Sequence, residues 1–394
     1  MHTLGSALDE QKGYGQGFDF LRIFLASAII AWHTVSLTGH LEMARASIFW
    51  FSEYALVPMF FVLSGFLVAG SGMRLSTKNF ILNRVARIAP ALFADIVFAA
   101  LLIGPLVSTL PAQLYFTSPT FFSYFLNVTG WVHYSLPGVF ANNPSPDVNG
   151  ALWTVPYEIG CYVILAALMV SGAIKRPRFV LLFTYCILIA AVPLFFMTSL
   201  RIHPSSSLIE WAAQELFLQR GSLLWPAFLI GIVLYQWRYY IPFSKTAAGG
   251  IVCAAIVVSA AGGFSLLFGN PAFHVIALPL LGYLTVMIGS SPMPRLPGFG
   301  TGDYSYGLYL YHVPFIQLLI HCFPQAWTGD WWWTLFFAGF PLALAAAVIS
   351  WHVIEYPVLK LRKRFSFAIN HRPADDVPAA IIPSGQLLLK QNPP

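Results

Sequence analysis

Apolar runs of roughly twenty residues recur along the chain, and short clusters of Pro, Gly, Asn or charged residues break them apart. The pattern predicts about ten membrane-crossing helices, over residues 18–38, 48–70, 88–109, 151–172, 179–199, 221–240, 248–268, 272–291, 303–323 and 331–353. At about 1.5 Å rise per residue, runs of this length span a hydrocarbon core of about 30 Å. Gly262, Gly263, Gly269 and Pro271 blur the break between the seventh and eighth runs. The longest connection, 110–150, holds an apolar patch, FFSYFLNV, expected to dip into the interface, and then the turn-rich ANNPSPDVNG. Residues 1–17 form a polar, glycine-rich segment expected on the cytoplasmic side. No small-residue cleavage site follows the first run, so that run is expected to remain as an uncleaved helix. Residues 18–364 form one membrane domain, and 365–394, which lack periodicity, are expected to be a mobile cytoplasmic tail.

Composition agrees with the pattern. Of 394 residues, 58% are hydrophobic and 9% charged, against roughly 25% charged in a soluble domain. The net charge of +6 would suit nucleic acid, but the basic residues are scattered through short loops rather than gathered on one face. The distribution fits a positive-inside bias instead. With the N-terminus inside, the inner segments carry seventeen of the twenty-one Lys and Arg residues. The outer loops carry Arg45, Arg201 and Arg220, and Arg22 lies within the first run. The expected class is therefore all-α: a polytopic membrane protein with about ten transmembrane helices and both termini cytoplasmic. Cys161, Cys186, Cys253 and Cys322 fall in apolar runs without a C-x-x-C pair, so neither a metal site nor a disulfide framework is expected.

Polar residues inside apolar runs then stand out. In FDFLRIFLASAIIAWHT, Arg22 and His33 are eleven positions apart, close to three helical turns, so both project from nearly one face about 16 Å apart. Such groups are costly in lipid and usually face a cavity or a partner, although a boundary anchor and a satisfied core histidine would look the same. Ser64 and Gly65 in FFVLSGFLV permit close helix approach. Arg84 and Arg87 in NRVARIAP share a face just before the third run, where they could grip phosphates or simply anchor topology. Glu158, in ALWTVPYEIGCY, needs a cation or a proton at its depth and could share a level with His33. His312 lies among Tyr306, Tyr309 and Tyr311, where a hydrogen-bonded packing role competes with a catalytic one. Glu355, at the inner end of the last run, is expected to pair with Arg or Lys.

D-F-L-R-x10-H, FFVLSGFL, NRVARIAP, LWTVPYE, YSYGLYLYHVPF and IEYP, in that order from about Asp19 to Arg364, resemble the acyltransferase 3 family. The resemblance implies an inner-membrane, multi-pass O-acyltransferase of the bacterial cell envelope, moving an acyl group, most often acetyl from acetyl-CoA, onto a sugar hydroxyl. It implies catalytic roles for His33, Arg22 and Glu158 and donor binding by Arg84 and Arg87, with Ser64, His312 and Glu355 as secondary candidates. No bound cofactor or metal is expected, acetyl-CoA being a substrate. The expected partners are the acyl-CoA donor, a saccharide or lipid-linked saccharide acceptor, membrane lipid and polysaccharide-biosynthesis proteins, and no nucleic acid. The basic motif is spaced R-x-x-R here, and EIGCY stands where an aromatic residue usually follows the glutamate. Many relatives carry a fused extracytoplasmic hydrolase-like domain, for which no room is expected in the thirty residues after Arg364.

The chemistry suits the residues. A positioned histidine can take the proton of a weakly nucleophilic hydroxyl, or carry the acyl group itself. An adjacent acid could orient the histidine, and cations could hold the oxyanion and the CoA phosphates. A transporter or flippase of a lipid-linked glycan is the competing class, but the inverted repeats and paired broken helices it favours are not evident. A purely structural scaffold would leave these ionisable residues without purpose.

Overall fold

The structure, a computed structural model, describes residues 2–11, 15–199, 220–261, 270–293, 302–327 and 331–365. The expected tail therefore lies outside the described residues. Among those described, the regular elements are helices: α1 (Leu4–Glu10), α2 (Gln16–Leu37), α3 (Trp50–Arg74), α4 (Thr77–Phe98), α5 (Val155–Val170), α6 (Pro177–Ser199), α7 (Gly221–Trp237), α8 (Lys245–Ala260), α9 (Pro271–Gly289), α10 (Ser305–Cys322), α11 (Thr334–Ser350) and α12 (Tyr356–Phe365), with shorter turns between. Among the described residues, six stretches are long and apolar enough to cross a membrane: Gln16–Leu37, Trp50–Arg74, Thr77–Val107, Gly150–Val170, Pro271–Gly289 and Thr334–Arg362. Pro177–Pro193, Gly221–Trp237 and Lys245–Ala260 are shorter apolar helices. The protein is an all-helical, multi-pass membrane protein.

Three local differences from the sequence expectation have physical reasons. The N-terminal segment is not simply a polar lead-in, because Thr3 and Ser6 form a capping box that starts α1. Leu4 and Leu8 are buried, and the amides of Leu4 and Gly5 donate to the carbonyls of Ile241 and Arg238 at 3.0 and 2.8 Å. The third run begins eleven residues early. Ser76 caps α4 by accepting from the Asn79 amide, and nothing stops the helix before Pro90, which it absorbs. Arg84 and Arg87 thus sit within α4 rather than ahead of it. The FFSYFLNV patch forms short helical turns, Pro119–Tyr124 and Phe125–Thr129, which bury Phe121 and Tyr124 and leave Phe122 exposed.

Two packing features set up the site. A Cβ on Gly65 would collide with the Phe228 carbonyl, and one on Gly231 with the Val62 carbonyl. The two glycines let α3 and α7 meet backbone to backbone. The second feature is α10, enclosed by α2, α4 and α11. Its buried positions include Ser305, His312 and Gln317 as well as Leu308, Leu310, Val313 and Ile316, so protein rather than lipid surrounds its polar side chains.

Candidate active site

α2 and α10 face each other at two levels. At the first, Arg22 Nη1 lies 3.2 Å from Asp303 Oδ2, just before α10 begins. At the second, nine residues or about two and a half turns further on, His33 Nδ1 lies 2.6 Å from His312 Nε2, with the rings stacked at 4.8 Å between centroids. Both contacts advance in the same chain direction, so α2 and α10 run parallel.

The first level is a compensated charge cluster. Asp303 Oδ2 also accepts from Arg87 Nη2 at 2.8 Å, and its Oδ1 accepts from Ser305 Oγ at 2.6 Å. Arg87 Nη1 donates to Glu355 Oε2 at 2.6 Å, and Glu355 Oε1 accepts from Ser350 at 3.2 Å. The Arg87 guanidinium also lies 5.5 Å from the ring centroids of Tyr306 and Trp351. Glu355, 1% exposed, is turned inward by a π-helical turn, Trp351–Glu355, between α11 and α12. Two guanidiniums thus meet two carboxylates, which is how charge survives at this depth.

A cavity of about 280 Å³ opens beside this cluster. Its wall includes Arg22, Ser64, Arg84, Arg87, Glu158, Tyr162, Asp303 and Tyr309, among apolar residues of α3 and Phe228. Glu158 accepts from the Tyr162 hydroxyl at 2.9 Å, one turn along α5, and Ser64 is hydrogen-bonded to the same tyrosine. Arg84 lies 5.9 Å from the rings of Phe80 and Tyr162. Its Nε is buried with no hydrogen-bond partner among the described residues. At the other end, Tyr309 is anchored to Thr154 Oγ1 at 2.9 Å and to the Ala151 carbonyl at 3.1 Å. Its ring centroid lies 6.0 Å from that of His312 and 6.3 Å from that of Phe60, so Tyr309 touches both the cavity and the histidine pair.

Five sequence candidates, Arg22, Ser64, Arg84, Arg87 and Glu158, therefore share one cavity, and Glu355 stands behind it on Arg87. His33 and His312 form a separate unit just beyond Tyr309. Glu158 is bonded to Tyr162 rather than to His33, and Arg84 and Arg87, one turn apart, have different surroundings. Sequence reasoning missed Asp303, the first residue of the ninth run, which follows Gly302 and precedes YSYG. It also missed Asp95, fully buried in α4, whose Oδ2 accepts from Asn149 at 2.8 Å while Asn149 reaches the Leu310 carbonyl at 2.9 Å. A lone acid in the apolar string FADIVFAA was the available signal. Past the histidines, Gln317 donates to the carbonyls of Ser145 and Asp147 at 2.9 and 2.6 Å and accepts from Asn143 at 2.8 Å, docking the 143–149 stretch onto α10.

Comparison with known proteins agrees with the linked motifs. The acyltransferase 3 family, described as an acyltransferase domain, matches residues 16–352. The chain is 28% identical to Nodulation protein 10 of Rhizobium leguminosarum bv. viciae, over 91% of this chain and 97% of that protein. It is 23% identical to an O-acetyl transferase of Shigella phage Sf6, over 86% of this chain and 94% of that one. No solved structure matches it. The match contains the two-level α2–α10 contact and every residue named on the cavity wall, and the chain belongs to the acyltransferase 3 family of membrane O-acyltransferases.

Proposed function

We propose that the protein transfers an acetyl group from acetyl-CoA to a hydroxyl of a cell-surface polysaccharide or its lipid-linked precursor, in the bacterial inner membrane. The observation that carries this reading is the pairing of a cation-lined cavity with a histidine unit one residue beyond its wall. The arginine-rich end suits an anionic donor, and the Arg84 guanidinium on the cavity wall, which makes no ion pair among the described residues, offers a charge-assisted contact to a CoA phosphate. Arg87 is held by Asp303 and Glu355, so its contribution is to shape and charge the wall rather than to grip phosphate. His33 accepts the acceptor's hydroxyl proton as the oxygen attacks the thioester carbonyl, the carbon–sulfur bond breaks, and CoA leaves as thiolate to be protonated. The name of the phage relative, an O-acetyl transferase, supports an acetyl group and an oxygen acceptor.

The same reading places about ten crossings with both termini cytoplasmic, supported by the basic asymmetry and by the parallel course of α2 and α10. In a background lacking Cys161, Cys186, Cys253 and Cys322, cysteines at the exposed positions Asn142 and Lys245 should label from opposite sides, and same-side labelling defeats this topology.

Incubating membranes of producing cells with labelled acetyl-CoA tests the activity. Label should enter a carbohydrate-containing fraction with wild type and not with His33→Ala at equal protein level. Glycan translocation without any acylation would favour a transporter instead.

A further inference from the structure

We propose that His312 is a positioning residue that fixes the proton of His33 on Nδ1 and so presents the Nε2 lone pair of His33 as the reacting nitrogen. The proposal rests on the reading of His33 as the group that takes the acceptor's proton.

The argument follows the donors and acceptors in order. His312 Nδ1 lies 3.1 Å from the Leu308 carbonyl, one turn earlier in α10. A carbonyl oxygen only accepts, so His312 Nδ1 carries a hydrogen. A neutral imidazole has a single N–H, which leaves His312 Nε2 with a lone pair. The atom 2.6 Å from that lone pair is His33 Nδ1. Two lone pairs do not approach so closely, so His33 Nδ1 donates. Its single N–H is thereby used, and Nε2 is left as an acceptor.

The opposite assignment needs a doubly protonated His312. That ring is 0% exposed, and its polar and ring contacts among the described residues are the Leu308 and Tyr309 carbonyls, the Tyr309 ring and His33, none of them an anion. The carboxylates of this region, Asp303, Glu158 and Glu355, are bonded to Arg22, Arg87, Tyr162 and Ser350. A buried imidazolium without a counter-ion costs far more than a neutral ring. The neutral chain, Leu308 C=O to His312 to His33, satisfies each of these atoms. A carboxylate does the equivalent work in the familiar serine triad; here a neutral imidazole does it, without burying an uncompensated charge.

The test compares His312→Gln, His312→Asn and His312→Leu with wild type and His33→Ala. It follows total loss of labelled acetyl-CoA to any acceptor, water included, at matched levels of folded protein. Glutamine can place its carbonyl oxygen where Nε2 stood and still accept from His33. Asparagine is polar but too short to reach, and leucine fills space without accepting. His312→Leu should lower kcat by about 10²–10⁴-fold, the range for losing a correctly oriented base, with the acetyl-CoA KM unchanged. His312→Gln should recover most of that loss and His312→Asn should not. If leucine does not accumulate, the glutamine–asparagine contrast decides. Equal activity of the glutamine and asparagine variants overturns the proposal, as does near-wild-type activity of the leucine variant. Wild type consuming no more acetyl-CoA than His33→Ala overturns the functional reading itself, which is a different result.

Discussion

The two contacts between α2 and α10 use similar residue types for opposite ends. Around Asp303, Arg22, Arg87 and Glu355 are paired, and the hydroxyls of Ser305 and Ser350 complete the carboxylates. Around His33 the same two helices meet through neutral rings, and one ring nitrogen has no partner among the described residues. Burial makes the first arrangement depend on completeness, since a lone charge at that depth is far costlier than a matched pair. The second tolerates an open valence because neither ring needs a charge to be stable. A site that must both bind an anion and move a proton gains from keeping these tasks apart, on opposite sides of Tyr309.

The sharpest way to break this comparison is to remove one partner at each level. Glu355→Ala leaves the Arg87 Nη1 donor and the Ser350 hydroxyl without their acceptor at a position 1% exposed. It should cost about 3–5 kcal/mol of stability, the range for breaking a buried ion pair. Thermal or denaturant unfolding of detergent-purified protein would measure it. His33→Ala should accumulate and unfold much as wild type does while transfer is lost. If both variants lose stability equally, the two levels do not divide the labour.

How much of this was legible follows from the reach of local pattern. Three-turn spacing put Arg22 and His33 on one face, and the structure does point both at α10. Their partners were not legible, because Asp303 and His312 lie about 280 residues away and no helical period links them. The glutamate at 158 was visible as costly, but its acceptance from Tyr162, four residues on, depends on which face of α5 the cavity takes. Arg84 and Arg87 were read as equivalent because i and i+3 share a face. Packing against α12, and the inward turn at Glu355, make them different.

That difference gives the next prediction. Arg84→Ala removes a guanidinium whose Nε has no hydrogen-bond partner among the described residues, so stability should hardly change. The acetyl-CoA KM should rise by about tenfold or more, since hydrogen bonds to charged groups contribute about 1.5–3 kcal/mol. Arg87→Ala should show the reverse emphasis, with lower stability and a smaller change in KM. Steady-state kinetics over a range of acetyl-CoA concentrations, beside unfolding curves, separates the two. Equal KM effects would mean that both arginines touch the donor and that the Asp303–Arg87–Glu355 cluster opens when it binds.

The smallest expected effect serves as the control for burial. Arg45 makes a two-pronged contact with Glu53, at 2.9 Å from Nε and 2.8 Å from Nη2, and a third at 3.2 Å with Glu42. The distances are like those of the inner cluster, but Arg45 and Glu53 retain 27% and 18% exposure and Glu42 87%, against 1% for Glu355. Water can therefore take over whatever the protein gives up. Glu53→Gln keeps size and one acceptor while removing the charge, and it should cost about 1 kcal/mol or less, as partly exposed pairs generally do. Added salt should shrink that difference further, because screening acts on pairs that solvent reaches. The Glu355→Ala penalty should change little over the same salt range. Should Glu53→Gln prove as damaging as Glu355→Ala, ion-pair geometry rather than depth sets the cost, and the inner cluster loses its claim to be special.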